Sequence, residues 1–103
     1  MADFGKEITP GGTGWFNALA LMQANGYTGG SKMTFLTIEE ENGNTTRFKN
    51  GHSSATVAPV STTDGKPIIN KAETLYCIEA GLFWIYFAAN TPVSISAHSD
   101  IDF

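Results

Sequence analysis

Leu82-Phe83-Trp84-Ile85-Tyr86-Phe87-Ala88 is the stretch whose reading decides the fold. It is uncharged and built mainly of aromatic and branched aliphatic residues, the composition of a strand. At a period of two, Phe83, Ile85 and Phe87 share one face, and Leu82, Trp84, Tyr86 and Ala88 share the other. Both faces are apolar, whereas antiparallel sheets commonly leave one face to water. Phe83, Ile85 and Phe87 are therefore assigned to the core. Trp84 and Tyr86, apolar bodies with polar tips, are assigned to an interface. Three covers for them stay open: the chain itself, a partner subunit or a ligand.

Working outward, the same period recurs on both sides. Val93, Ile95 and Ala97 alternate with Ser94, Ser96 and His98, which predicts a strand with one wet face. In Met33 to Glu39, Leu36 and Ile38 fit the core and Thr37 and Glu39 fit solvent. The Asn-Gly pair in Glu41-Asn42-Gly43-Asn44 predicts a hairpin turn, with Thr45 to Lys49 as the return strand. Ser54 to Val60, weakened by Pro59, is expected as an edge strand. Thr63 to Pro67 reads as a turn, Thr74 to Glu79 as a strand, and Ser99 to Phe103 as a tail. About seven short strands separated by turn signals predict an all-β fold, a small antiparallel β-sandwich resembling a jelly roll.

The first part of the chain reads differently. Pro10-Gly11-Gly12-Thr13-Gly14 is a cluster of breakers, so residues 1–14 are expected to be an extended N-terminal arm. If the arm docks on a neighbour, Phe4 and Ile8 are its anchors. Residues 15–103 form the single sandwich domain. Trp15 to Ala24 supports two readings. Trp15, Leu19 and Met22 recur at helical spacing, but Leu19 and Leu21 alternate with small residues and the segment is short for a helix, which favours a strand.

Composition agrees with one small core. The chain has 103 residues, 42% hydrophobic and 16% charged. Charge is below the usual ~25%, and polarity is carried largely by serine and threonine hydroxyls. The net charge of −4 gives no basic field for nucleic acid. The longest apolar run, Gly81 to Ala89, is too short to span a bilayer, and Met1 to Glu7 shows no basic-then-apolar leader pattern. A single cysteine, Cys77, permits no intrachain disulfide and reads as a buried, inert thiol beside Leu75.

No motif supplies chemistry. His52, His98 and Cys77 lie too far apart in sequence to read as a zinc set. Glu39-Glu40-Glu41 with Asn42 and Asn44 reads as a solvated hairpin end rather than a calcium loop, and Asp100 and Asp102 as an acidic tail. Gly26 to Lys32 lacks the spacing of a phosphate-binding loop, and no Gly-x-Ser-x-Gly elbow occurs. The expectation is a protein without catalysis, metal or cofactor.

The order of signals from Lys32 to Ser96 resembles a known group. Thr34-Phe35-Leu36-Thr37-Ile38 leads to a short acidic turn and Arg47-Phe48-Lys49-Asn50-Gly51. Then come a Gly-x-Pro-Ile element at Gly65 to Ile68, Ala72-Glu73-Thr74-Leu75, a Leu-x-x-Ile-Tyr-x-x-Ala strand from Leu82, and Thr91 to Ser96. This rhythm, over about two-thirds of the chain, resembles the small all-β virion proteins of tailed bacteriophages: capsid cement or decoration proteins and head or tail-fibre modules. The resemblance implies a non-catalytic structural virion protein, made in the host cytoplasm, that bridges neighbouring capsid subunits. Its partners would be the major capsid protein or other virion subunits, and it would be a homo-oligomer, with a trimer as the expectation. Phe4, Ile8, Trp15, Trp84 and Tyr86 are the candidate interface residues. A carbohydrate- or receptor-binding module is the competing reading, with Trp15, Tyr27, Trp84 and Tyr86 stacking on sugar rings and Arg47 binding hydroxyls.

Overall fold

Eight strands and one short helix follow from these patterns in the computed structural model, which describes residues 2–61, 64–68 and 71–99. In chain order they are β1 (Ala2–Ile8), β2 (Gly14–Asn17), α1 (Ala18–Ala24), β3 (Lys32–Glu39), β4 (Thr46–Lys49), β5 (Lys66–Pro67), β6 (Ala72–Glu79), β7 (Trp84–Phe87) and β8 (Val93–Ser99). They form two four-stranded antiparallel sheets, the first in the order β1-β8-β3-β6 and the second β2-β7-β4-β5. Leu36, Ile38, Ile78 and Ile95 from the first sheet share one buried cluster with Phe48, Ile85 and Phe87 from the second. The fold is the expected all-β antiparallel sandwich. Phe83, Ile85 and Phe87 lie in its core. Fully burying each such side chain contributes about 1.5–3 kcal/mol.

The N-terminal segment is extended, but its first half lies on its own chain. β1 pairs with β8 from Ala2↔Ser99 to Ile8↔Val93. Phe4 and Ile8 alternate with Gly5 and Glu7 and are buried in the chain's own core, so they anchor no neighbour. Without β1, β8 would present an unpaired edge. Gly11 and Gly14, at φ +90° and +108°, then carry the chain from the first sheet to the second. The Gly11 N–H donates to Asn90 Oδ1 at 2.8 Å and holds that crossing in place.

Residues 15–24 resolve into both candidate structures. Trp15 and Phe16 pair with Tyr86 and Ile85 in β2, and a helix starts at Ala18. Asn17 makes the switch: its backbone is extended and its side-chain oxygen accepts from Ala20 N–H at 3.1 Å, an N-cap. Ala18, Leu21 and Met22 then form the buried helix face at i, i+3 and i+4.

β3 and β4 are not a hairpin; they belong to different sheets. Glu40 is buried, and its two carboxylate oxygens accept from Asn42 N–H and Asn44 N–H, each at 2.7 Å. The side chain thus curls the Asn-Gly loop upon itself, with Gly43 at φ +79°, and redirects the chain into the opposite layer. Asn42 Nδ2 and Asn44 Nδ2 tie the loop to Pro92 O and Thr91 Oγ1, both at 2.9 Å.

Further expectations are corrected. Ser54 to Val60 is a loop, because Ser54 Oγ accepts from the N–H groups of Thr56 and Val57 and takes them from any ladder. The strand from Leu82 shortens to β7, because Ala80–Leu82 forms a 3-10 turn capped by the Glu79 carboxylate. Cys77 is exposed rather than buried. The β3–β6 ladder is interrupted opposite Thr34, where Cys77 has φ +53°, so Tyr76 and Cys77 both reach solvent between inward-facing Leu75 and Ile78. Ser99 is a buried end of β8, whereas Asp100, Asp102 and the rest of the expected tail lie outside the described residues.

Ile95→Ala is expected to lower unfolding free energy by about 2–5 kcal/mol in urea titrations. Ser96→Ala, on the opposite face of the same strand, should change it by less than about 0.5 kcal/mol. Glu40→Gln, which leaves a loop N–H facing an amide donor, is expected to cost about 1–3 kcal/mol in the same assay.

Candidate functional site

Each sheet has an outer face, and the two differ. On the second sheet the register sets Trp15, Tyr86, Arg47 and Pro67 in one row across β2, β7, β4 and β5. The next row holds Asn17, Trp84 and Lys49. Trp15 and Tyr86 pack with ring centroids 5.4 Å apart. Four residues chosen from the sequence for two different roles, Trp15, Tyr86, Trp84 and Arg47, therefore share one face.

That face is roofed by the chain's own loop after β4, through residues 50–61 and 64–65. Trp84 Nε1 donates to Ser54 O at 2.9 Å, and the His52 ring packs edge-on against the Trp84 ring. Asn17 Nδ2 donates to Gly81 O at 2.9 Å and reaches Ala55 O at 3.4 Å. Arg47 Nη1 donates to Gly65 O, and Lys49 pairs with Asp64 at 2.9 Å. A Cβ at Gly65 would fall 2.5 Å from Phe48 O and 2.8 Å from Trp15 Cη2, so glycine lets the loop lie flat. Trp84 is 6% exposed and Tyr86 half-buried. The apolar second side of β7 is covered internally, which removes Trp84 from the candidate interface. A buried indole N–H needs an acceptor, and the loop supplies one.

Tyr27 also leaves the ligand set. It is buried, packs edge-on against Phe4 at 5.9 Å, and its hydroxyl donates to Gly30 O at 2.5 Å. It closes the end of the core beside β1.

Among the described residues, no segment covers the outer face of the first sheet. Its register produces three rows across β1, β8, β3 and β6: Asp3–His98–Phe35–Tyr76, Gly5–Ser96–Thr37–Thr74 and Glu7–Ser94–Glu39–Ala72. The first row is largely aromatic. His98 stacks on Phe35 with centroids 6.1 Å apart, its Nδ1 contacts the Asp3 carboxylate, and Tyr76 is 72% exposed. The second row carries hydroxyls, with Thr37 Oγ1 and Thr74 Oγ1 hydrogen-bonded at 2.8 Å. In the third row Glu7 and Glu39 meet Glu41, and together they line a shallow acidic depression with Ser94. A hydrogen bond with Glu41, the repulsion between the two carboxylates and partial desolvation push the Glu39 carboxyl above its ordinary range.

The sequence exposed only part of this face. The wet side of β8 was readable from Ser94, Ser96 and His98. Phe35 and Tyr76 were missed because they are 41 positions apart and meet only through the β3–β6 register. The signal for them was that Phe35 stands out of phase with core residues Leu36 and Ile38.

Chemically the face offers contact and hydrogen bonding. Among the described residues no group of three His, Cys, Asp or Glu could hold a metal ion, and no helix is long and apolar enough to cross a membrane. A cavity of about 450 Å³ is lined by Phe48 of the second sheet and Leu75 of the first, with Lys49 and Asp64 among its other walls. The rim residues Lys49 and Asp64 are already paired with each other.

Because the folded state keeps on Glu39 a proton that the unfolded chain releases, the Glu39–Glu41 pair adds stability at low pH. That contribution is lost as pH rises through the raised Glu39 pKa. Glu41→Gln is expected to return the Glu39 titration, followed by carboxyl-carbon NMR, towards the ordinary range and to flatten this part of the stability–pH profile. An unchanged titration in that variant would contradict the assignment.

No family model, no curated protein and no solved structure matches the chain.

Proposed function

We propose that the chain is a non-catalytic structural subunit of a bacteriophage virion, a cement or decoration protein that bridges neighbouring subunits of a shell. The observation that carries this reading is the bare outer face of the first sheet: three registered rows of hydroxyl, aromatic and acidic side chains on a small rigid sandwich. A small protein with one closed and one open broad side is suited to making contacts. The strand-and-turn rhythm of Lys32 to Ser96 supports the same reading. On it, the protein works in the virion, in many copies, against the major capsid protein or other virion subunits.

Empty shells assembled from the capsid protein of the same genome test it. Added protein is expected to co-sediment with the shells at stoichiometric occupancy and to raise their disassembly temperature. Failure of both would overturn the reading.

One observation favours a second reading, a carbohydrate-binding module. Tyr76 is 72% exposed beside Phe35 and His98, a place where a sugar ring could stack. This moves the reading away from Tyr27, which is buried, and Arg47, which lies under the loop. Binding on a glycan panel that is lost in Tyr76→Ala would support it; silence across the panel would remove it.

A further inference from the structure

Three Asn-Gly steps stand in the sequence: Asn25-Gly26, Asn42-Gly43 and Asn50-Gly51. Such a step is chemically unstable. The asparagine Cγ can close a five-membered ring with the next main-chain nitrogen, and glycine has no Cβ to shield that nitrogen. The fold treats the three steps differently. At the end of α1, Asn25 Nδ2 donates to Leu21 O at 2.8 Å and the Gly26 N–H donates to Gln23 O at 3.2 Å, so both reacting groups are tied. In the loop after β3, Asn42 Nδ2 donates to Pro92 O at 2.9 Å, which holds the side chain against the segment before β8. The Asn42 N–H donates to Glu40 Oε1 at 2.7 Å and fixes the main chain as well.

Asn50-Gly51, at the exit from β4, is held by neither device. Both residues are exposed, and neither the Asn50 side-chain amide nor the Gly51 N–H has a hydrogen-bond partner among the described residues. Gly51 has φ +73°, a conformation that favours glycine. The chain is fixed on either side of the step. β4 ends at Lys49, and the His52 N–H donates to Leu82 O at 2.9 Å. Asn50 also stands in the wall of the cavity lined by Phe48 and Leu75, with Lys49 and Lys66 in the same wall.

We propose that Asn50 is a site of spontaneous deamidation, a modification the chain carries out on itself with water as the only co-reactant. The Gly51 nitrogen gives up its proton and attacks Asn50 Cγ. A C–N bond forms, which closes a succinimide ring, and the Cγ–Nδ2 bond breaks. Nδ2 leaves as ammonia with the proton that Gly51 lost, and nothing is oxidised or reduced. Water then opens the ring at one of its two carbonyls. Cleavage at Cγ gives aspartate. Cleavage between the Asn50 carbonyl carbon and the Gly51 nitrogen gives isoaspartate, with the main chain rerouted through Cγ. Either product adds one negative charge to the net −4, in the cavity wall that holds Lys49 and Lys66. Isoaspartate also lengthens the main chain by one carbon at the root of the roofing loop. The inference is independent of the virion reading.

Incubation of the folded full chain at mildly alkaline pH, with timed samples digested by trypsin and read by mass spectrometry, tests the proposal. The three steps fall in separate tryptic peptides, residues 7–32, 33–47 and 50–71, because Pro67 blocks cleavage after Lys66. The mass gain of one amide-to-acid exchange is expected first in peptide 50–71, placed on Asn50 by fragmentation. Its rate is expected to exceed those at Asn25 and Asn42 by about tenfold, the factor that breaking one hydrogen bond first imposes. In concentrated urea the three rates are expected to converge, because the fold alone separates them. Asn50→Gln is expected to abolish the change at this position and to keep the circular dichroism, since the side chain has no partner to lose. A folded chain in which Asn25 or Asn42 reacts as fast as Asn50, or in which Asn50 stays intact, would overturn the proposal. So would an order of rates that persists unchanged in urea, which marks local sequence rather than the fold.

Discussion

A strand that is apolar on both sides cannot be left against water on either, and Trp84–Phe87 is such a strand. The rest of the molecule is arranged around that demand. The side bearing Ile85 and Phe87 is met by Leu36, Ile38 and Ile95 of the opposite sheet. The side bearing Trp84 and Tyr86 is met by Trp15 from β2 and by the long loop after β4. The sandwich is thus three layers deep at the second sheet and two at the first. That asymmetry leaves one broad face closed and the other open.

Two polar side chains route the chain between these layers. Asn17 ends a strand and starts a helix with one side-chain oxygen. Glu40 holds two loop N–H groups with one buried carboxylate and sends the chain from the first sheet to the second. In each case a short polar side chain satisfies main-chain donors that would otherwise be stranded at the end of an element. The functional consequence lies on the first sheet, where no such loop returns over β1, β8, β3 and β6 among the described residues.

Much of the architecture was legible because β3 and β8 alternate cleanly, and alternation is a local property. What was not legible depended on side chains bonding to main chain. The Asn42-Gly43 signal correctly marks a reversal, but nothing in a turn says whether the next strand rejoins the same sheet; the bonds from Glu40 decide it. Val57 and Val60 favour a strand, yet Ser54 Oγ captures two of the N–H groups that a strand would need. Cys77 was placed indoors by counting from Leu75, and the count fails where Cys77 itself takes a positive φ. The site followed the same pattern. Trp15, Tyr86 and Arg47 do converge on one face, but the loop that closes over them carries no strong pattern of its own. The open face became visible only once register joined Phe35 to Tyr76.

Apart from the Lys49–Asp64 pair, the fastenings of that loop share a property. Trp84, Asn17, Arg47 and His52 all reach carbonyl oxygens, at Ser54, Ala55, Gly65 and Val57. Every amino acid carries that oxygen, so most side chains of the loop can be exchanged without undoing its attachment. The scaffold beneath and the chemical character displayed above are thereby uncoupled. Over generations the outward text of the loop can be rewritten to suit a changing neighbour, while Gly65, whose missing Cβ makes room for Trp15, stays fixed.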